Sequence, residues 1–290
     1  MSVFERYPPL QPIEFRLLRD FVYDRCGLHF DNSSMYLFDR RLGERLAALE
    51  LDSFAEYYKH LRFSSDAARE FDEAIEVLTT SETYFFRQEY QLRSFEKELL
   101  PALAEKNAST KNLVLWSAGC STGEEAYTIA MMVHRSGLFD DWDVRIIGSD
   151  ITKSRIAAAR RGVYRAGGSF RTIEPTVRDK YFAPHPEGFQ VAEFLRQYCQ
   201  FGHLNLMDRA NLAIVGPVDV VFCRNVLIYF DENSRRRVID NLYRRLVSGG
   251  ILLLGHSESL LNVSTAFELL HLKEDLVYMK PMRTEARQTL

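Results

Sequence analysis

The stretch Leu113 to Ala130, LVLWSAGCSTGEEAYTIA, limits what this chain can fold into more than any other. Its opening apolar run, Leu113 to Trp116, has the length of a buried strand. A turn of small residues follows, in which Gly119 and Gly123 bracket Cys120, Ser121 and Thr122. Ala126, Ile129, Ala130 and Val133 then recur at helical spacing. Strand, small-residue turn and helix make the opening unit of a nucleotide-binding α/β domain, because glycines let backbone N–H groups come close to a ligand.

Two carboxylates, Glu124 and Glu125, stand where that helix begins. A pyrophosphate at the same place would be repelled and would compete for the helix N–H donors. NAD, FAD and ATP therefore fit poorly. A phosphate-free nucleoside carrying positive charge fits better, and S-adenosylmethionine has both an ammonium and a sulfonium to set against a negatively lined mouth. Ser121-x-x-Glu124 and Thr122-x-x-Glu125 also read as capping boxes, so one glutamate can cap while the other meets the ligand.

The length of 290 residues is enough for about two domains. A net charge of -3 gives no support for bulk binding to nucleic acid. Cys26, Cys120, Cys199 and Cys223 are far apart and form no CxxC pair, so neither a metal site nor a disulfide framework is expected. The start, MSVFERYPPLQPIEF, has no apolar leader, and no run approaches membrane-spanning length. The expectation is a cytoplasmic protein without direct membrane insertion.

Residues 13 to about 90 read as helical, with no strand signal before Leu113. Phe15, Leu18, Phe21 and Val22 mark a first helix that Gly27 ends. Phe38, Leu42, Leu46 and Leu49 mark a second, Phe54 to Leu61 a third, and Phe71, Ile75 and Leu78 a fourth. On the second helix Arg41 and Arg45 lie together beside the apolar face. They read as a docking strip for an acidic helical partner, or as part of a solvated face with Arg40 and Glu44 paired. Between Thr79 and Arg87, hydroxyls, two aromatics and an arginine read equally as a loop over an aromatic ligand and as a domain joint before a helix toward Pro101.

VRIIGSD is a second short strand that ends in Asp150, where doubly wound sheets place an acid that accepts from ribose hydroxyls. The helix after it, Ser154 to Arg161, carries Lys153, Arg155, Arg160 and Arg161 toward solvent. Residues 164–203 are irregular, and FQVAEFL and QYCQF suggest a small antiparallel ribbon that either binds an extended peptide or is ornament. CQFGHLNLMD and VDVVFCRNVLIYF then continue the sheet. An amphipathic helix with Val238, Leu242 and Leu246 inward ends at Gly249-Gly250, and ILLLGH is the next strand. Asn205, Asn225 and His256-Ser257-Glu258 all fall at strand C-termini, on the ligand-binding edge.

With TTSETYFFR, LWSAGCSTGEEAYTIA, GSDI, ARRGVYR, CRNVLIYF and GGILLLGHSES on view, the chain resembles the CheR family, the chemotaxis receptor methyltransferases, from about Ile13 to Pro281. The resemblance implies an N-terminal helical domain (residues 1–90) and a Rossmann-like α/β methyltransferase domain (residues 91–290) with an inserted antiparallel β-subdomain at about 170–203. It implies transfer of a methyl group from S-adenosyl-L-methionine to receptor glutamates, with S-adenosyl-L-homocysteine as product. The cofactor contacts it implies are Ser81, Thr83, Arg87, Glu125, Asp150, Asn205, Leu206, Asn225 and Val226. Many members have Asn at the position of Ser81, and a hydroxyl can still make one hydrogen bond there. Arg87 and Tyr229 are implied as the residues at the transferred methyl. Arg41 and Arg45 are implied to meet the cytoplasmic helical region of a membrane chemoreceptor. The insert, shorter in its loop than in members that bind a receptor C-terminal peptide, implies independence of such a tether. Two rivals differ in class. One is a methyltransferase acting on nitrogen or on a small molecule, whose Asn-Pro-Pro-aromatic signature is lacking since Val-Leu-Ile-Tyr follows Asn225. The other is a non-catalytic signalling module that binds the cofactor or a receptor without turnover, against which the intact acidic and Asn positions argue.

Overall fold

The computed structural model describes residues 7–282, so the first six residues of MSVFERYPPLQPIEF lie outside the described residues. Helix α1 (Pro12–Cys26) opens the chain and stops at Gly27, which takes the left-handed conformation with φ 73°. Gly27 also packs where a Cβ would come within 2.9 Å of the Met207 side chain. Helices α2 (Met35–Ala48), α3 (Phe54–Phe63) and α4 (Ala67–Leu78) complete the expected helical domain.

Arg41 and Arg45 do not form a free strip. The Arg45 guanidinium reaches both oxygens of Glu70 on α4, at 2.9 and 2.6 Å, and Glu70 is buried and also accepts from the Tyr57 hydroxyl at 2.7 Å. Arg41 donates to the carbonyls of Val77 and Leu78 at the end of α4. The apolar stripe of α2 draws its flanking arginines against α4, where a buried acid and unsatisfied helix-end carbonyls need donors.

Helices α5 (Glu89–Ser94) and α6 (Leu100–Lys106) are joined without a break by a π-helical segment, Phe95–Leu99. The helix expected to run toward Pro101 therefore passes through it. A widened π turn just before the proline accommodates a residue that has no N–H to donate.

The main sheet comprises β1 (Asn112–Ala118), β2 (Asp143–Asp150), β6 (Cys199–His203), β7 (Val218–Cys223), β8 (Leu246–Leu254), β9 (Glu268–His271) and β10 (Leu276–Met279), in the order β6-β2-β1-β7-β8-β10-β9. Pairings from β6 across to β8 are parallel, and β10 runs antiparallel between β8 and β9. Helices α7 (Glu124–Ser136), α8 (Lys153–Arg161) and α11 (Glu232–Arg245) connect and cover it. Alternation along β1 splits its side chains between two cores. Leu113 and Leu115 join Tyr127, Ile129 and Phe95 on one face, and Val114 and Trp116 join Leu18, Leu42 and Leu78 of the helical domain on the other.

Two boundaries differ from the sequence reading. The inserted sheet is built from β3 (Val163–Tyr164), β4 (Phe182–His185) and β5 (Gly188–Val191) in the order β3-β5-β4, with α9 (Pro175–Tyr181) before β4 and α10 (Glu193–Arg196) after β5. QYCQF is not part of that ribbon, because Cys199–His203 pairs in parallel with Ile146–Asp150. Helix α11 ends at Arg245, not at the glycine pair, and Leu246 already pairs with Val218. The register jumps before Val220 meets Ile251, and Gly249, at φ 68°, lies in that bulge. Among the described residues no helix is long and apolar enough to cross a membrane.

Candidate functional site

Chain order departs from β1 in two directions, first to β2 and β6 and then back past β1 to β7. A crevice opens where the direction switches, beyond the carboxyl ends of these strands. It holds a cavity of ≈ 250 Å³. Gly119 to Ser121 line it from β1, Asp150 and Ile151 from β2, Leu204 to Leu206 from β6, and Arg224 to Val226 with Ile228 to Phe230 from β7. Thr79 to Tyr84 and Arg87 form another wall, and Cys26 and Leu28 of the helical domain contribute as well.

The first βα turn is built close against its neighbours. Gly119 has φ 87°, and a Cβ there would stand 2.5 Å from Val226 Cγ2. The N–H groups of Gly119 and Cys120 both donate to the Ser149 carbonyl, at 2.7 and 2.8 Å. Ser121 N–H donates to Asp150 Oδ2 at 2.9 Å, and Gly123 N–H to the Cys120 carbonyl at 3.0 Å. Glu124 folds back on its own N–H and accepts from the Thr122, Ser169 and Thr83 hydroxyls. Four N–H groups that could help cradle a phosphate are thus bonded within the protein.

Of the two glutamates only Glu125 lines the cavity. Glu124 is 2% exposed, and burial raises its pKa despite three hydroxyl donors. Glu125 accepts from Ser117 Oγ at 2.6 Å and from Arg224 Nη1 at 3.0 Å. The expected negative lining is corrected here. Glu82, Glu125 and Asp150 face the cavity together with Arg87, Arg155 and Arg224, so charge is balanced overall and its local arrangement matters. Arg155 departs from the solvent-facing role read for it, donating to the Thr79 carbonyl at 3.0 Å with 16% of its side chain exposed.

All nine residues expected at the cofactor line this cavity, and Glu124, which was not among them, lies behind it. Asp150 lines the wall while its oxygens accept from Ser121 N–H and Thr152 N–H, so it holds the turn and the start of α8 as well. Ser81 Oγ lies 2.5 Å from Ser121 Oγ. Asn205 bridges to the helical domain, donating to the Arg25 carbonyl at 2.7 Å. Asn225 takes φ 59°, which asparagine tolerates better than most residues, and its N–H is held by Glu258 at 2.8 Å. Its carboxamide makes no hydrogen bond among the described residues. Arg87 donates to the Glu82 carbonyl, and Tyr229 Oη lies 3.4 Å from the Thr80 carbonyl, with the residue 40% exposed at the mouth.

The Thr79–Arg87 loop combines both roles read for it. Phe85 leaves the cavity and is fully buried among Tyr164, Phe170 and Phe182, while Tyr84 and Arg87 remain in the wall. Sequence reasoning missed the role of Arg224 and of Gln91, whose Oε1 accepts from Arg224 Nε at 3.1 Å, since a buried arginine at a strand end has no periodic signal.

A sequence model for the all-alpha domain of CheR methyltransferase matches residues 13–79, and one for the SAM binding domain of CheR methyltransferase matches residues 81–276. The chain belongs to the CheR methyltransferase family. A chemotaxis protein methyltransferase of Vibrio cholerae is 36% identical over 275 residues, covering 92% of this chain and 93% of that protein. One from Pseudomonas aeruginosa is 35% identical over 257 residues, covering 87% and 88%. As a CheR-family methyltransferase the protein uses S-adenosylmethionine, and the cavity fits that group. Four N–H groups of its first βα turn are already bonded within the protein, two of its carboxylates can face a cation, and an uncommitted carboxamide projects from the β7 end.

Proposed function

We propose that this chain transfers a methyl group from S-adenosylmethionine to glutamate side chains of chemoreceptors, forming glutamate methyl esters in chemotactic adaptation. The observation that carries this reading is the meeting of Arg87 and Tyr229 with the β1, β2 and β7 strand ends around one cavity. When bound, the cofactor supplies an electrophilic methyl on a sulfonium. A glutamate with pKa ≈ 4.3 is already ionised at neutral pH, so the protein needs no general base. What it must supply is alignment, which contributes up to about 7–11 kcal/mol when nucleophile and electrophile are held in line.

In this reading Ser81, Thr83, Arg87, Glu125, Asp150, Asn205, Leu206, Asn225 and Val226 hold the cofactor. Arg87 draws the substrate carboxylate to the mouth and orients it, and Tyr229 walls the path of the methyl. The receptor enters as a cytoplasmic helix presented to the mouth, without a C-terminal peptide tether. Supporting tether independence, β4 is an edge of the inserted sheet and carries Pro184, which has no N–H to offer an added strand, while the opposite edge, β3, is two residues long.

Radiolabelled S-adenosylmethionine with receptor-rich membranes tests the function. Label that transfers and is released by mild alkali is the expected result. Alkali-stable label would mean nitrogen methylation, and binding of cofactor without label would mean a non-catalytic module. Arg87→Ala should lower the transfer rate by about tenfold or more, about 1.4 kcal/mol of transition-state stabilisation, and a wild-type rate would remove Arg87 from the mechanism.

A further inference from the structure

Arg224 follows β7, whose six residues are all buried, and is 7% exposed. Its guanidinium is shared among four acceptors. Nε donates to Gln91 Oε1 at 3.1 Å, Nη1 to Glu125 Oε2 at 3.0 Å, and Nη2 to both the Arg87 carbonyl and Gln88 Oε1. Three of the four belong to the segment Arg87–Gln91. That segment begins with an uncommon backbone: Phe86 and Gln88, neither of them glycine, have φ 56° and 57°. Such residues persist only where their surroundings hold them. Arg87 lies between them, and its own carbonyl is one of the anchored atoms.

The fourth acceptor, Glu125, stands in the first turn of α7. Glu125 has one oxygen on Ser117 and the other on Arg224, so its carboxylate is fixed from behind. We propose that Arg224 is a positioning residue for methyl transfer, holding the Glu125 carboxylate and the Phe86–Gln88 turn that presents Arg87 in one fixed relation. The proposal rests on the functional reading above and adds a residue to it. Through Arg224, the group facing the cofactor and the group facing the substrate carboxylate share one rigid planar fork. A lysine would keep the charge but not the span, since its ammonium is a point donor on a flexible stem.

The test uses the full chain in Arg224→Lys, Glu125→Gln, the double variant and Gln88→Asn. Affinity for S-adenosylhomocysteine is measured by calorimetry, and kcat with saturating cofactor and receptor. Arg224→Lys should lower kcat by about tenfold or more, because alignment is lost. It should weaken product affinity by about three- to tenfold, with the thermal midpoint held within about 5 °C. The affinity effect should vanish in the Glu125→Gln background, because it travels through that carboxylate, while the kcat effect remains. Gln88→Asn tolerates the left-handed backbone and shortens only the contact to Arg224. It should lower kcat by about two- to fivefold with product affinity unchanged.

An Arg224→Lys protein with wild-type kcat per folded molecule overturns the proposal. So does an affinity loss of the same size with and without Glu125, which is what a merely structural arginine would give. If Arg224→Lys does not fold, an unchanged kcat in Gln88→Asn overturns it instead. A wild-type protein that binds S-adenosylhomocysteine but methylates no receptor refutes the functional reading, and the affinity arm still decides whether Arg224 acts through Glu125.

Discussion

Glu124 shows how a carboxylate can serve the site without entering it. It gathers hydroxyls from the β1 turn, the Thr83 loop and the inserted segment, and burial pushes its pKa up. A raised native pKa means that the folded state binds more protons than the unfolded chain between the ordinary and raised values. Its contribution to stability is therefore complete below the ordinary carboxylate pKa and declines as pH rises through the raised one. Glu124→Gln cannot titrate, so its stability relative to the natural protein should improve on going from about pH 4 to about pH 7.5. Denaturant unfolding at both values checks this, and a difference independent of pH would show that the carboxyl does not titrate across the interval. Arg45 makes a second case. Removing it leaves Glu70, 2% exposed, without its bidentate partner, and Arg45→Ala should cost about 3–5 kcal/mol in urea unfolding. A loss below about 1 kcal/mol would place the pair among surface contacts.

At the level of elements, the β1 turn is fixed by backbone rather than by side chains. Gly119→Ala meets two penalties, the positive φ and the approach of Val226 Cγ2, and should destabilise by about 2–4 kcal/mol. Combining it with Val226→Ala should recover the packing share but not the conformational one. Full recovery in the double variant would mean that the φ of 87° carries no cost. This turn was legible in the sequence because its chemistry is local: an apolar run, two glycines and a helical period. Helices α1 to α4 and strands β1, β2 and β7 were legible for the same reason. The end of α11 was not, since Leu246 continues the helical period while its backbone has already joined Val218 in the sheet. Cys199 to Phe201 carried two readings, ribbon by the alternation in QYCQF and main sheet by CQFGHLNLMD, and only the pairing with β2 decides for the sheet. In the site, the residues standing at strand ends could be read from position. The inward turn of Arg155 and the sharing of Arg224 depend on acceptors 76 and up to 137 residues away along the chain, and no spacing encodes them.

For the molecule as a whole, the decisive fact is that the helical domain and the sheet share one apolar core. Leu18, Leu42 and Leu78 belong to the same buried cluster as Trp116, Val221 and Leu252. Polar ties cross the junction beside it: Tyr23 Oη to Asp231 at 3.0 Å, Asn205 to the Arg25 carbonyl, and His29 N–H to the Tyr229 carbonyl at 2.9 Å. Leu28 also bridges to Phe230, so the segment after α1 is paired next to the proposed catalytic tyrosine. Domains joined by small polar interfaces move and melt separately, whereas a large apolar junction couples them. Calorimetry should therefore give one cooperative transition for the whole chain. S-adenosylhomocysteine at about a hundred times its dissociation constant should add about 2.7 kcal/mol to that single transition. Two resolved transitions, with only the later one shifted by the ligand, would mean that the helical domain is a separate appendage. One transition that shifts intact would mean that the helical domain, which lends Cys26 and Leu28 to the cavity wall, unfolds together with the sheet as one unit.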